Sequence, residues 1–156
     1  MKPRLLVGLL VLWACAACDS PAIFKETVDF DGNRWYVRQA PSFAFTIEAP
    51  QQAYSIYYNL RNTSTYPYYN LYVTRTLLDS AGRVLDRKLD QLQLADATTG
   101  KPLGSGLGDL YDHKILAMKA FRFPYKGKYT ITIQQYMRQN PLPEIQSVGL
   151  SIERIP

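Results

Sequence analysis

His113 is the chain's single histidine, and Cys15 and Cys18 are its only cysteines, so side chains suited to metal or nucleophile chemistry are few. A structural zinc site needs four Cys, His or carboxylate ligands, and every multi-histidine set is excluded. Asp109, Asp112 and His113 are close in sequence, but neighbours along a strand or loop need not converge, and a loop histidine capped by acids accounts for them. Asp29, Asp31 and Asn33 echo the start of a calcium loop without its later ligands and terminal Glu, and read as turn capping. Gly104-Ser105-Gly106 lacks the Gly-x-Ser-x-Gly spacing of a nucleophile elbow. The wider cluster Gly104–Gly108 has no Lys-Ser or Lys-Thr after it, so it reads as a permissive loop, bulged or not, rather than a phosphate cradle. Asp86 and Asp90 read as solvated surface carboxylates. No catalytic, cofactor-binding or metal-ligating residue is expected, and the chain reads as a non-enzyme.

The chemistry that remains is acylation. Lys2 and Arg4 precede an apolar run from Leu5 to Trp13, and small residues follow in Cys15-Ala16-Ala17-Cys18. Basic start, short apolar run and small-residue end are the layout of a secretory signal peptide. Nine residues make a helix of only about 14 Å against a hydrocarbon core of about 30 Å, too short to span. The run ending in Cys18 resembles a bacterial lipoprotein box, which implies that residues 1–17 are removed and that Cys18 carries lipid, palmitate included. The rival cut at Cys15 would follow Leu12-Trp13-Ala14, where Trp is too bulky. A Cys15–Cys18 disulfide would close a very small loop beside a cleavage site. Several acyl chains anchor firmly where one does not, since each buried methylene contributes about 0.8 kcal/mol. Loss of Lys2 and Arg4 lowers the net charge from +5 to +3. Spread over a mature domain, that is no nucleic-acid footprint.

Tyrosine is the other unusual feature. Seven of the 12 tyrosines fall between residues 54 and 72. Strand alternation turns Tyr57 and Tyr72 away from Tyr58 and Leu71. Tyr57, Tyr66, Tyr68 and Tyr72 are therefore the candidate partner-binding residues, rigid amphipathic area for a protein or a glycan. The competing reading is a second sandwich face whose tyrosine hydroxyls simply meet water. Asn62-Thr63-Ser64 matches an N-glycan acceptor by chance, and Asp79-Ser80-Ala81 resembles a short O-glycan acceptor set in a turn.

The elements that must position these residues have a period of two. Phe43, Phe45 and Ile47 alternate with Ala44, Thr46 and Glu48, and Tyr54, Ile56, Tyr58 and Leu60 do the same. Leu71, Val73 and Leu77, then Tyr129, Ile131 and Ile133, then Val148, Leu150 and Ile152 mark three more half-buried strands. Asp79-Ser80-Ala81-Gly82 predicts a hairpin turn, and Tyr125-Lys126-Gly127-Lys128 predicts a second. Lys114 to Ala120 fits a strand or a helical turn equally. With 156 residues, 47% apolar and 20% charged, the chain is one globular domain. The expected fold is all-β: seven to nine strands in a single antiparallel β-sandwich or jelly-roll-like domain over 34–156, joined to Cys18 by a tether over 18–33. Its expected core contains Phe45, Ile56, Tyr58, Leu71, Val73, Phe123, Ile131, Ile133, Leu150 and Ile152.

The sequence also resembles the gliding-motility lipoprotein family GldH. The likeness runs through the leader ending Cys18-Asp19, Asn59-Leu60-Arg61-Asn62 and Tyr66-Pro67-Tyr68-Tyr69-Asn70-Leu71. It continues in Gly108-Asp109-Leu110-Tyr111-Asp112, Phe123-Pro124, Gly127-Lys128-Tyr129 and Ile133-Gln134-Gln135-Tyr136-Met137-Arg138. The resemblance implies an envelope lipoprotein that supports surface gliding and its associated secretion as a scaffold or assembly component. It implies the membrane and other envelope motility proteins as partners, and no catalytic motif. The periplasmic face of the outer membrane is the favoured location. Tyr136 stands where relatives are expected to have a smaller residue and is given no role. The alternative function is an envelope carbohydrate-binding module.

Overall fold

The computed structural model describes residues 22–156; the leader, Cys18 and residues 19–21 lie outside the described residues. Eleven strands follow in chain order: β1 (Ala22–Asp29), β2 (Arg34–Trp35), β3 (Ser42–Ile47), β4 (Tyr54–Thr63), β5 (Asn70–Asp79), β6 (Val84–Gln93), β7 (Ser105–Leu107), β8 (Leu110–Phe121), β9 (Gly127–Gln135), β10 (Leu142–Pro143) and β11 (Ile145–Arg154). They form an antiparallel five-stranded sheet, β1-β11-β4-β8-β7, a four-stranded sheet, β3-β9-β5-β6, and the short pair β10-β2. The alternating apolar residues explain the sandwich: each sheet buries one face, and the two buried faces meet. Tyr58 on β4 reaches across to hydrogen-bond Asp90 on β6 at 2.7 Å. Phe24 on β1 meets Phe45 on β3 with ring centroids 5.7 Å apart. All ten expected core residues are buried, joined by Trp35, Tyr54 and Tyr129.

Several expectations need correction. Half of the tether expected over 18–33 is strand: β1 pairs with β11 from Ala22 to Asp29. Its inward residues Phe24 and Val28 are only half-buried, as suits an edge strand. A Cβ on Gly149 would meet the Glu26 carbonyl oxygen at 2.5 Å, so only glycine permits that approach. The glycine cluster is not an open loop either. Ser105–Leu107 is the edge strand β7, turned back onto β8 through Gly108 at φ 62°. Gly104 packs on His113, whose Cε1 would lie 2.7 Å from an added Cβ. The ambiguous segment 114–120 is strand, inside β8. The turn at residues 125–128 is no hairpin: β8 and β9 belong to different sheets, so the chain crosses from one layer to the other there.

The hairpin at Asp79 forms as expected, with Gly82 at φ 76°. Its organiser is Asp79, whose side chain is fully buried. Oδ1 accepts from the Ala81 and Arg83 amides, both at 2.9 Å, and Oδ2 accepts from Arg83 Nε at 2.7 Å and Tyr125 Oη at 2.5 Å. Those bonds, Tyr125 first, hold the carboxyl far below the ordinary carboxylate range. Ser80 is exposed at the tip, but the acid beside it is fully occupied by the turn.

Candidate functional site

Asp86 and Asp90, expected as solvated carboxylates, serve the interior instead. Arg75 shares a face with Leu71, Val73 and Leu77 on β5 and is buried with them. Its guanidinium lies 2.8 Å from Asp86 Oδ2 and 3.2 Å from Asp90 Oδ2. Burial opposes charge on Asp90, yet the bonds from Tyr58 and Arg75 outweigh it and lower its pKa. Burial and the adjacent carboxylate together push the Tyr58 phenol far above its usual range. Inward charges on β6, an exposed sheet edge, suit a strand protected from indiscriminate pairing. This cluster ties the two sheets together.

Around His113 the acids do not converge. Asp112 faces out and pairs with Arg61 at 2.6 Å, while His113 faces in with Nε2 2.8 Å from Asn62 Oδ1. Burial lowers the His113 pKa, since the imidazolium would lose its hydration. No group of three or more His, Cys, Asp or Glu side chains is placed to hold a metal among the described residues. The outer face of the five-stranded sheet carries a polar trough of about 610 Å³, bordered by Lys25, Asp29, Asn59, Arg61, Asp112 and Lys114. Of its charges, Arg61 pairs with Asp112 within the trough, and Lys114 pairs with Glu153 beside it.

The candidate tyrosines divide between the two outer faces. Tyr58 points inward from β4, so Tyr57 points outward from the five-stranded sheet, where Lys114 Nζ sits 4.4 Å from its ring centroid. Leu71 points inward from β5, so Tyr72 points outward from the other sheet. Tyr57 and Tyr72 therefore lie on opposite sides of the sandwich. Tyr66, Tyr68 and Tyr72 do come together. Tyr66 packs on the core with its hydroxyl donating to the Asn70 carbonyl at 3.0 Å, and Tyr68 crosses it edge-on at 5.7 Å. Burial raises the Tyr66 pKa well beyond the ordinary phenol range.

Tyr68 and Tyr72 then open onto an apolar groove of about 460 Å³ that also contains Leu89, Tyr136, Met137 and Arg138. The backbone fixes its shape: the Tyr136 amide donates to the Tyr72 carbonyl at 2.8 Å, and the Tyr72 amide donates to Met137 Sδ at 3.4 Å. Tyr68 Oη donates to Gln139 Oε1 at 2.7 Å, closing the rim. Tyr136, given no role by the sequence, is 66% exposed, the most exposed of the groove's three tyrosines. Parity would have found it: Tyr136 continues the outward row Thr130, Thr132 and Gln134 of β9. Leu89 likewise shares the outward face of β6 with Leu85, Arg87 and Gln91. The groove's lining is aromatic and aliphatic with Arg138 as the single cation, a surface suited to binding.

Relatives match along nearly the whole chain. The Gliding motility lipoprotein GldH homolog of Christiangramia forsetii is 28% identical over 148 residues, covering 89% of this chain and 88% of that protein. The Gliding motility lipoprotein GldH of Flavobacterium johnsoniae is 27% identical over 157 residues, covering 94% and 95%. The infectious bursal disease virus VP2 subviral particle is similar at 16% identity and TM-score 0.37, over 99% of this chain and 38% of that one, a likeness too low to carry an argument. The family model described as GldH lipoprotein matches residues 22–152, from the first residue of β1 to within two residues of the end of β11. The chain belongs to the GldH lipoprotein family.

Proposed function

We propose that this chain is a lipid-anchored, non-enzymatic component of the bacterial envelope that supports gliding motility by holding another envelope protein in its tyrosine groove. Cys18 is the lipid attachment point. The observation that carries the binding role is the groove itself: Tyr68, Tyr72, Tyr136 and Leu89 present apolar area to solvent on the side of the sheet that the core does not use, with Met137 packed against the core beside them. Exposed aromatic clusters with a cationic rim are what protein interfaces use as anchors. The names of the relatives supply the process, gliding, and the family supplies the lipoprotein character.

The test is recovery of partners after in-cell crosslinking. Tyr72→Ser with Tyr136→Ser should fold and should lose the partner, since aromatic anchors often contribute about 2 kcal/mol or more, roughly thirtyfold in affinity. Tyr57→Ser, on the opposite face, should keep it. An unchanged partner set with the folded groove variant would refute the reading. The carbohydrate alternative draws on the polar trough, where Asn59 Nδ2 has no hydrogen-bond partner among the described residues. Envelope polysaccharide retained by the parent and lost by Asn59→Ala would favour that second reading.

A further inference from the structure

Within the tether expected over 18–33, Ala22–Asp29 is strand, and that shortens the link to the anchor. Only Asp19, Ser20 and Pro21 separate Cys18 from β1. Four residue steps reach at most about 14 Å when fully extended. With lipid on Cys18, the start of β1 would stand within about 14 Å of the bilayer surface. The register then says which end of the sandwich goes with it. Ala22 pairs with Glu153, Arg154 with Tyr54 and Tyr54 with Phe121, so one end of the five-stranded sheet is defined. The other sheet ends there too: Tyr54 Oη donates to the Ala49 carbonyl at 2.9 Å, and Phe123 packs edge-on against Tyr54 and Phe45, both at 5.7 Å.

That end is basic. Arg83, Lys119, Arg122, Lys126, Lys128 and Arg154 are all exposed on it. Its carboxylates are already engaged. Glu48 pairs with Lys126 at 2.6 Å, buried Asp79 pairs with Arg83 at 2.7 Å, and Glu153 pairs with Lys114 at 2.6 Å. Lys119, Arg122, Lys128 and Arg154 have no carboxylate partner among the described residues.

Resting on the reading of Cys18 as anchor, we infer that this basic end docks on the phosphate headgroups of the leaflet that holds the lipid. The short link supplies proximity, and the cations set orientation within the Debye length of about 8 Å at physiological salt. The opposite end, where β4 and β9 finish, lies about 30 Å farther out at 3.3 Å per strand residue. Tyr68, Tyr72 and Tyr136 belong to that outer end, so the groove faces away from the membrane and is free to meet a partner.

The experiment uses the full lipidated chain, purified from membranes and placed in vesicles of phosphatidylethanolamine and phosphatidylglycerol containing a headgroup-attached quencher. One dye is attached through Gln51→Cys at the basic end and, in a second preparation, through Ser64→Cys at the outer end. Quenching should be several-fold greater at residue 51, and the difference should shrink when phosphatidylcholine replaces the anionic lipid. Equal quenching at the two positions, or more at residue 64, would overturn the docking face. Mass spectrometry of the same sample separates the two readings. Acyl groups on Cys18 with equal quenching defeat only this inference, whereas a Cys18 without lipid defeats the anchor and the inference together.

Discussion

His113 is held neutral inside the five-stranded sheet, against Asn62 and beneath Gly104. Its folded pKa is depressed by burial, while in the unfolded chain it is about 6.5. The unfolded state therefore takes up the proton first as pH falls. The stability that neutral His113 contributes is fully present above about pH 6.5 and is lost as pH drops toward the folded value. Denaturant midpoints at pH 7.5 and pH 5.5 should differ in the parent, and His113→Gln should narrow that difference. An identical pH response in the variant would remove His113 from the account. Residue pairing was the least legible level of the sequence. Asp86 and Asp90 read as surface because their partner Arg75 lies across a hairpin, 15 residues from Asp90. The signal was present: Arg75 keeps the parity of Leu71, Val73 and Leu77, a charge in an inward row that needed opposite charge to be buried there.

Strands with strong alternation were readable, and the ten expected core residues all sit between the sheets. β1 was hidden because an edge strand buries only part of one face, and its partner β11 lies more than a hundred residues away in sequence. Gly149 was hidden too, since a glycine inside a strand signals close approach only once the neighbour is known. Gly149→Val should push β1 off β11, at a cost of about 1–3 kcal/mol from overpacking. Hydrogen exchange at the amides of Lys25 to Val28 should quicken while β5 and β9 stay protected. Uniform protection across both sheets in that variant would show that the close approach does not hold β1 in place.

For the whole molecule, period two identifies strands but not the sheet each one joins. That is why Tyr57 and Tyr72 read as one surface and stand on two. The same limit turned the 125–128 crossover into an expected hairpin. Assembly of the layers instead gathers Tyr68, Tyr72 and Tyr136 at one end and, at the other, the cations with no carboxylate partner among the described residues. Cys18→Ser should shift the chain from the membrane to the soluble fraction, and membrane partition equal to that of the parent would contradict lipid anchoring. The central claim is that the tyrosine groove holds a partner protein in the envelope. A photo-crosslinking amino acid placed at Tyr136 in living cells, with Tyr57 as the opposite-face control, tests it most directly. A discrete protein adduct is expected from position 136 and none from position 57. No adduct at 136, or the same adduct from both positions, would contradict it.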